Sequence, residues 1–142
     1  MRIRNEYERM ITSEQLARSG SEDGAQAALF CWASQSYALY PDLRWLFAVP
    51  NGGWRDPATA NKLKATGVKA GVPDIFLPIR RAWFNGLWIE LKRPKSVGKQ
   101  AGRLSNEQRD WKEHLLLQRF GVYVAYGWED ARDMIIDYLR FK

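Results

Sequence analysis

Val72-Pro73-Asp74-Ile75-Phe76-Leu77-Pro78 and, after a short interval, Leu87-Trp88-Ile89-Glu90-Leu91-Lys92 are the stretches that decide this chain. Both read as strands, because β-branched and aromatic residues run between proline and glycine stops. Alternate residues on a strand share a face, so Glu90 and Lys92 project together while Leu91 turns away. Apolar Trp88, Ile89 and Leu91 describe a strand buried on both sides, where a charged pair needs a reason. If folding brings Asp74 to Glu90, two carboxylates and one ammonium meet. Such a cluster suits a hard divalent cation beside an attacking water, the equipment for cutting a phosphodiester. The plainer alternative makes Pro73-Asp74 a turn and Glu90 with Lys92 a solvated cross-strand pair.

The register between the strands separates these readings. Asn85-Gly86 is a tight hairpin signal, but a two-residue turn there sets Asp74 opposite Val97. A wide loop over 78–86 instead sets Asp74 opposite Glu90. Pro78 cannot donate to a ladder, and Arg80-Arg81 suits an exposed loop, so the wide loop is expected.

Outward from this hairpin, residues 1–20 mix charges without a clear apolar face until Met10 and Ile11. They read as an N-terminal arm, a short helix or a dimer contact, and residues 21–142 as the domain proper. Leu29, Trp32, Ala33, Tyr37 and Tyr40 fall near helical spacing over 22–40, ended by Pro41. Arg44 to Val49 reads as a strand stopped by Pro50-Asn51-Gly52-Gly53. Asp56-Pro57 opens a helix that Gly67 closes. Pro94 closes the strand of Glu90, and 95–102 is a basic, glycine-containing loop read as mobile. Ser105 caps a helix to about Phe120. Gly121 opens a strand to Tyr126, and a last helix runs from about Glu129 to Phe141, with Trp128, Ala131, Ile135 and Leu139 on one face. Helices around one mixed sheet make a small α/β domain.

A chain of 142 residues suits one domain with a respectable core. No apolar run approaches a membrane span, and no charged-then-apolar leader opens the sequence. The single cysteine, Cys31, excludes an intramolecular disulfide and cysteine-rich zinc sites, so a reducing cytoplasm is expected. The single histidine, His114, argues against histidine-rich metal sites and a catalytic histidine; it reads as a surface or packing residue. Net charge is +6, and its location is informative. From Arg80 to Arg103 seven cations (Arg80, Arg81, Lys92, Arg93, Lys95, Lys99, Arg103) face one anion, Glu90. Beside paired carboxylates, that window points to a polyanion such as nucleic acid, through steering and counterion release.

Gln108, Trp111 and Leu115 share one helical face, so the glutamine lies toward the sheet. A buried amide needs partners, and a carboxylate-lysine cluster supplies them. Of the tryptophans, Trp45, Trp88, Trp111 and Trp128 fit core positions. Trp54 and Trp83 sit in loops, where packing ranks ahead of contact with bases.

Pro73-Asp74, Glu90-Leu91-Lys92 and Gln108-x-x-Trp111 resemble the PD-(D/E)xK nuclease superfamily. Asn51-Gly52-Gly53, Gly67-x-x-x-Gly71-x-Pro73-Asp74 and Gly86-Leu87-Trp88-Ile89-Glu90-Leu91-Lys92 resemble its VRR-NUC (viral replication and repair nuclease) branch, from about Glu22 to the C-terminus. The resemblance implies a single restriction-endonuclease-like domain, a central mixed sheet flanked by helices with an αβββαβ core. It also implies a Mg²⁺-dependent endonuclease, with Mn²⁺ as a substitute, acting as a homodimer on branched DNA such as four-way junctions, in a bacterial or phage-infected cell. Carried across, Asp74, Glu90 and the Leu91 carbonyl hold metal. Lys92 orients the attacking water, and Gln108 supports lysine and metal. A first-helix glutamate near a second metal falls on Glu22, with Glu14 as its rival. Arg55, Lys62, Lys64 and Lys69 flank the approach to Asp74 as phosphate contacts; Asn51, Arg81, Arg93, Lys95 and Lys99 complete the surface expected to touch DNA. Two other functions fit the same residues: a non-catalytic nucleic-acid-binding module, or a restriction-like or RNA-directed nuclease.

Overall fold

The computed structural model describes residues 11–50, 55–95 and 102–142. Phe47–Ala48 (β1), Ile75–Leu77 (β2), Leu87–Lys92 (β3) and Gly121–Tyr126 (β4) form one sheet in the order β1-β2-β3-β4. The first two junctions are antiparallel and β3 pairs β4 in parallel, so the sheet is mixed. Ile75 pairs with Ile89 and Leu77 with Leu87, the wide-loop register. One step further along that register, Asp74 faces Glu90. The tight turn lies at the loop's tip instead, where Arg81 bridges Phe84 around Ala82-Trp83. Asn85-Gly86 has another use: Asn85 is tied by main chain and side chain to Arg119 and Gln118.

The strand alternation sorts side chains between two faces. Ile75, Leu77, Leu87, Ile89 and Leu91 are buried on one face. Against them pack Ala25, Ala28, Leu29 and Ala33 of helix α2 (Glu22–Gln35) and Ala131, Ile135 and Tyr138 of helix α5 (Trp128–Arg140). Each buried aliphatic side chain contributes about 1.5–3 kcal/mol. This face anchors the sheet, and the reverse face is left to carry polar chemistry. Phe76, Trp88, Glu90 and Lys92 lie there, and helix α4 (Asn106–Leu117) covers part of it.

The remaining helices follow their caps. Thr12 caps α1 (Ser13–Ala17) in a reciprocal box with Gln15, and the Ser13 hydroxyl bonds to Ala28 O, so part of the N-terminal arm packs on α2. Asp56 caps α3 (Pro57–Ala65), and Gly67 follows at φ +102°. Two expectations need correction. The helix read to Tyr40 stops at Gln35, where the Ser36 hydroxyl bonds back to Trp32 O and competes with the ladder. The strand read over 44–49 is a 3-10 helix, Pro41–Trp45, followed by the two residues of β1, because Pro41 opens a new turn as well as closing the old one. Trp45 is consequently 58% exposed instead of in the core. Among the described residues no helix is long and apolar enough to cross a membrane.

Candidate active site

Asp74 stands one residue before β2 and is placed by its own main chain, whose carbonyl accepts from Val49 N at 2.7 Å. Its side-chain Oδ2 accepts from Leu91 N at 2.8 Å, so the aspartate is pinned across the hairpin to the residue after Glu90. The two carboxyl groups are within hydrogen-bonding reach, with Glu90 donating to Asp74. The Leu91 side chain turns into the core, and its amide is the group fixed on Asp74.

Glu90 and Lys92 share the reverse face of β3 and are both buried, at 5% and 8% exposure. Lys92 Nζ lies 3.6 Å from Glu90 Oε1, and donates to Gln108 Oε1 at 3.2 Å. Gln108 Nε2 donates to Glu90 Oε1 at 2.7 Å. One amide thus bridges the lysine and the glutamate, satisfying polar groups that are costly to leave unpaired. The same amide closes a capping box: Ser105 Oγ accepts from Gln108 N at 3.1 Å and Ser105 N donates to Gln108 Oε1 at 2.9 Å. The first turn of α4 is therefore fastened to the acidic cluster through a single side chain.

The charges are held out of balance. Burial first, and then the neighbouring Asp74, push the Glu90 carboxyl up from its ordinary 4.5 to about 8, against the pull of Lys92. Burial also raises Asp74, opposed by the Leu91 amide, the Glu90 hydrogen bond and Lys92. Two carboxyls pressed together out of water call for positive charge. The donors are hard oxygens with no histidine or cysteine among them, the set Mg²⁺ and Mn²⁺ prefer; Mg²⁺ keeps most of its waters and needs only one or two carboxylates. The residues present therefore fit such a cation.

Among the described residues no third acid joins the pair. Glu22 is the exposed first residue of α2, an acid in the helix's first turn, and Glu14 is exposed in α1. A small pocket between sheet and α4 is lined by Pro73, Glu90, Gln108, Lys112 and Val124. Lys112 was not among the sequence candidates; its place one helical turn after Gln108 is the signal that marks it. The Ser105-x-x-Gln108 capping pattern is likewise a sequence signal for how the glutamine is held.

The cations divide. Lys62, Lys64, Lys69, Arg93 and Lys95 are exposed, with Lys95 4.6 Å from the Tyr126 ring centre. Arg55 is half-buried and bonds to Pro50 O. Arg81 is committed to the fold, at 2.7 Å from Asp42 Oδ2 and 3.2 Å from Leu139 O. Asn51, Trp54 and Lys99 lie outside the described residues.

No protein-family model and no curated protein matches the chain. It is similar to a solved structure described as a "VRR_NUC domain protein", at 26% identity and a TM-score of 0.66, covering 84% of this chain and 88% of that one. The likeness runs over most of both chains and supports a VRR-NUC-like, nuclease-type domain, and the mixed sheet flanked by helices is of the restriction-endonuclease-like α/β class.

Proposed function

We propose that this protein is a Mg²⁺-dependent endonuclease that hydrolyses phosphodiesters in branched DNA, four-way junctions included. The observation that carries the reading is the meeting of Asp74, Glu90, Lys92 and Gln108 on one face of the hairpin, from positions far apart in the chain. Asp74 and Glu90 would hold the cation, with the Leu91 carbonyl as a further ligand. When bound, such a cation polarises a phosphoryl oxygen and lowers the pKa of a coordinated water.

The chain's own residues supply the rest. The Leu91 amide keeps Asp74 Oδ2 aimed across the hairpin. Gln108 orients Glu90 by donating to Oε1, and accepts from Lys92, leaving two ammonium protons of that lysine for other oxygens. Held beside the scissile phosphate, Lys92 orients the incoming water and offsets charge that develops on the phosphoryl oxygens. Exposed Lys69, Arg93 and Lys95 draw in and position the backbone. Glu22 is retained as a candidate for a second metal position, with Glu14 its rival, and a homodimer would supply the two active sites that paired nicks require.

The test is cleavage of a labelled four-way junction by the full chain with Mg²⁺, with Mn²⁺ or with EDTA. Cleavage in either metal, none in EDTA and none by Asp74→Ala is expected. Undiminished cleavage by Asp74→Ala, or salt-sensitive binding without any cutting, refutes the catalytic reading in favour of a binding module. A panel of flaps, plain duplex and RNA separates junction selectivity from a restriction-like or RNA-directed enzyme.

A further inference from the structure

We propose that Trp83 and Arg119, at the end of the domain away from the carboxyl pair, form a platform that stacks an unpaired nucleobase of the DNA strand. The inference rests on the reading of this chain as a DNA nuclease. Trp83 sits at the tip of the β2–β3 loop and is 66% exposed, so it is not packed into the core of its own domain, the role expected for a loop tryptophan. The Arg119 guanidinium lies 4.1 Å from its ring centre. An arginine stacked on one face of an indole leaves the other free for a flat aromatic partner, and places positive charge where that partner's phosphate would run.

The chain accepts strain to hold this arrangement. Ala82 has φ +48° and Arg119 φ +63°, the two non-glycine residues in the left-handed region among those described. Ala82 occupies the first central position of its turn, where glycine is the ordinary choice. Strained backbone of this kind persists only where its surroundings over-determine it. They do so here: Ala82 N donates to Lys142 O at 2.7 Å, Asn85 N to Arg119 O at 2.7 Å and Asn85 Nδ2 to Gln118 O at 3.0 Å. Tyr138 Oη holds Ile79 O at 2.5 Å, and Arg81 holds Leu139 O. An exposed indole on so many anchors is preorganised for a ligand.

Charge selects the ligand's class. Arg80 and Lys142 are exposed beside the platform and have no ion-pair partner among the described residues. Arg81 has Asp42, and Arg140 has Asp137. The free charge is positive, which suits a polyanion. Helix α4 links the two sites, with Gln108 in its first turn and its last residue, Leu117, leading to Arg119. Nine helical steps separate Gln108 from Leu117, roughly 14 Å, or about four nucleotide steps along a duplex strand. One strand of a branched substrate can therefore reach both sites, with a base at the branch presented to Trp83.

The experiment measures binding in EDTA, so that cutting plays no part. Fluorescence anisotropy compares wild type, Trp83→Ala, Trp83→Phe and Arg119→Ala on two labelled DNAs: a fully paired duplex, and the same duplex with an unpaired segment. Trp83→Ala is expected to weaken binding to the second about 10- to 100-fold with little effect on the first, Trp83→Phe to restore most of it, and Arg119→Ala to lose part. Thermal melts establish that each variant is folded. Unchanged binding, or equal losses on both DNAs, overturns the platform. So does a Trp83→Ala variant whose oligomeric state changes while its DNA binding does not, since the tryptophan would then serve a second copy of the chain. A wild type that binds the unpaired segment through Trp83 yet never cleaves would sink the nuclease reading and leave the platform standing.

Discussion

Glu90 holds its proton because burial and Asp74 both oppose ionisation, and this has a measurable sign. Unfolded, a glutamate ionises near 4.5; here it does so at about 8. Between those values the folded state binds more protons, so metal-free protein loses stability as pH rises from 4.5 to 8 and levels off above. Asp74 is raised in the same direction and adds to the slope. Glu90→Gln keeps an Oε1 acceptor for Gln108 and removes the Glu90 part of that loss. It should be more stable than the parent at pH 8 by up to a few kcal/mol, read from melting temperatures in EDTA. Equal melting at pH 8 refutes it. Mg²⁺ is held by the ionised carboxylates, so its stabilising effect on the parent should grow with pH and be weaker in the variant, which keeps Asp74 alone. Lys92 divides binding from chemistry. Lys92→Ala should retain a Mg²⁺-induced rise in melting temperature while single-turnover cleavage falls roughly 10²–10³-fold; a variant that cuts at the parental rate excludes the lysine from the reaction.

Among elements, α4 matters most to the site, because its first turn is gripped from two sides. Ser105 and Gln108 form the capping box from within, and Gly71 meets it from without: a Cβ on Gly71 would stand 2.5 Å from Glu107 C and 2.7 Å from Glu107 O. Gly71 also has φ +89°, whereas Gly67, at φ +102°, faces open space. Gly67→Ala should cost about 1 kcal/mol, the strain alone, and leave cleavage intact. Gly71→Ala adds a backbone collision of about 1–3 kcal/mol and pushes Gln108 off the cluster. Denaturant titration should rank the two in that order, and cleavage should fall only in the second. The same contrast shows what was legible beforehand. Periodicity, caps and proline stops located α3, β4, α5 and the start of α4 within a residue or so, although α4 ends at Leu117, three residues before the expected Phe120. Pro78 with Arg80-Arg81 was enough to favour the wide loop whose register brings Asp74 to Glu90. Two kinds of feature escaped. Pro41 reads equally as a helix stop or the start of a tighter turn, so the 3-10 helix and the exposure of Trp45 were hidden. Close approach of backbone to backbone, as at Gly71, depends on tertiary placement that no local pattern encodes.

Across the whole molecule, the excess charge of +6 is divided between cations that hold the fold and cations left to solvent. From sequence the two kinds look alike, because Arg81 and Arg93 both lie in the same basic window. In three dimensions Arg81 spends its guanidinium on Asp42, Leu139 O and Arg80 O, about a quarter exposed, while Arg93, the residue after buried Lys92, is exposed with no partner among the described residues. Counterion release depends on free cations that meet phosphates, each worth a slope of about −0.9 in log K against log salt on duplex DNA. Arg93→Ala should therefore flatten that slope by roughly one and leave the melting temperature unchanged. Arg81→Ala should do the reverse, lowering stability by about 1 kcal/mol as its hydrogen bonds and ion pair are lost, with the salt slope untouched. Filter-binding titrations over a range of salt, beside thermal melts of the same preparations, check both. If Arg81→Ala flattens the slope as much as Arg93→Ala does, the division fails, because a guanidinium bound to Asp42 and Leu139 O would then be meeting phosphate as well.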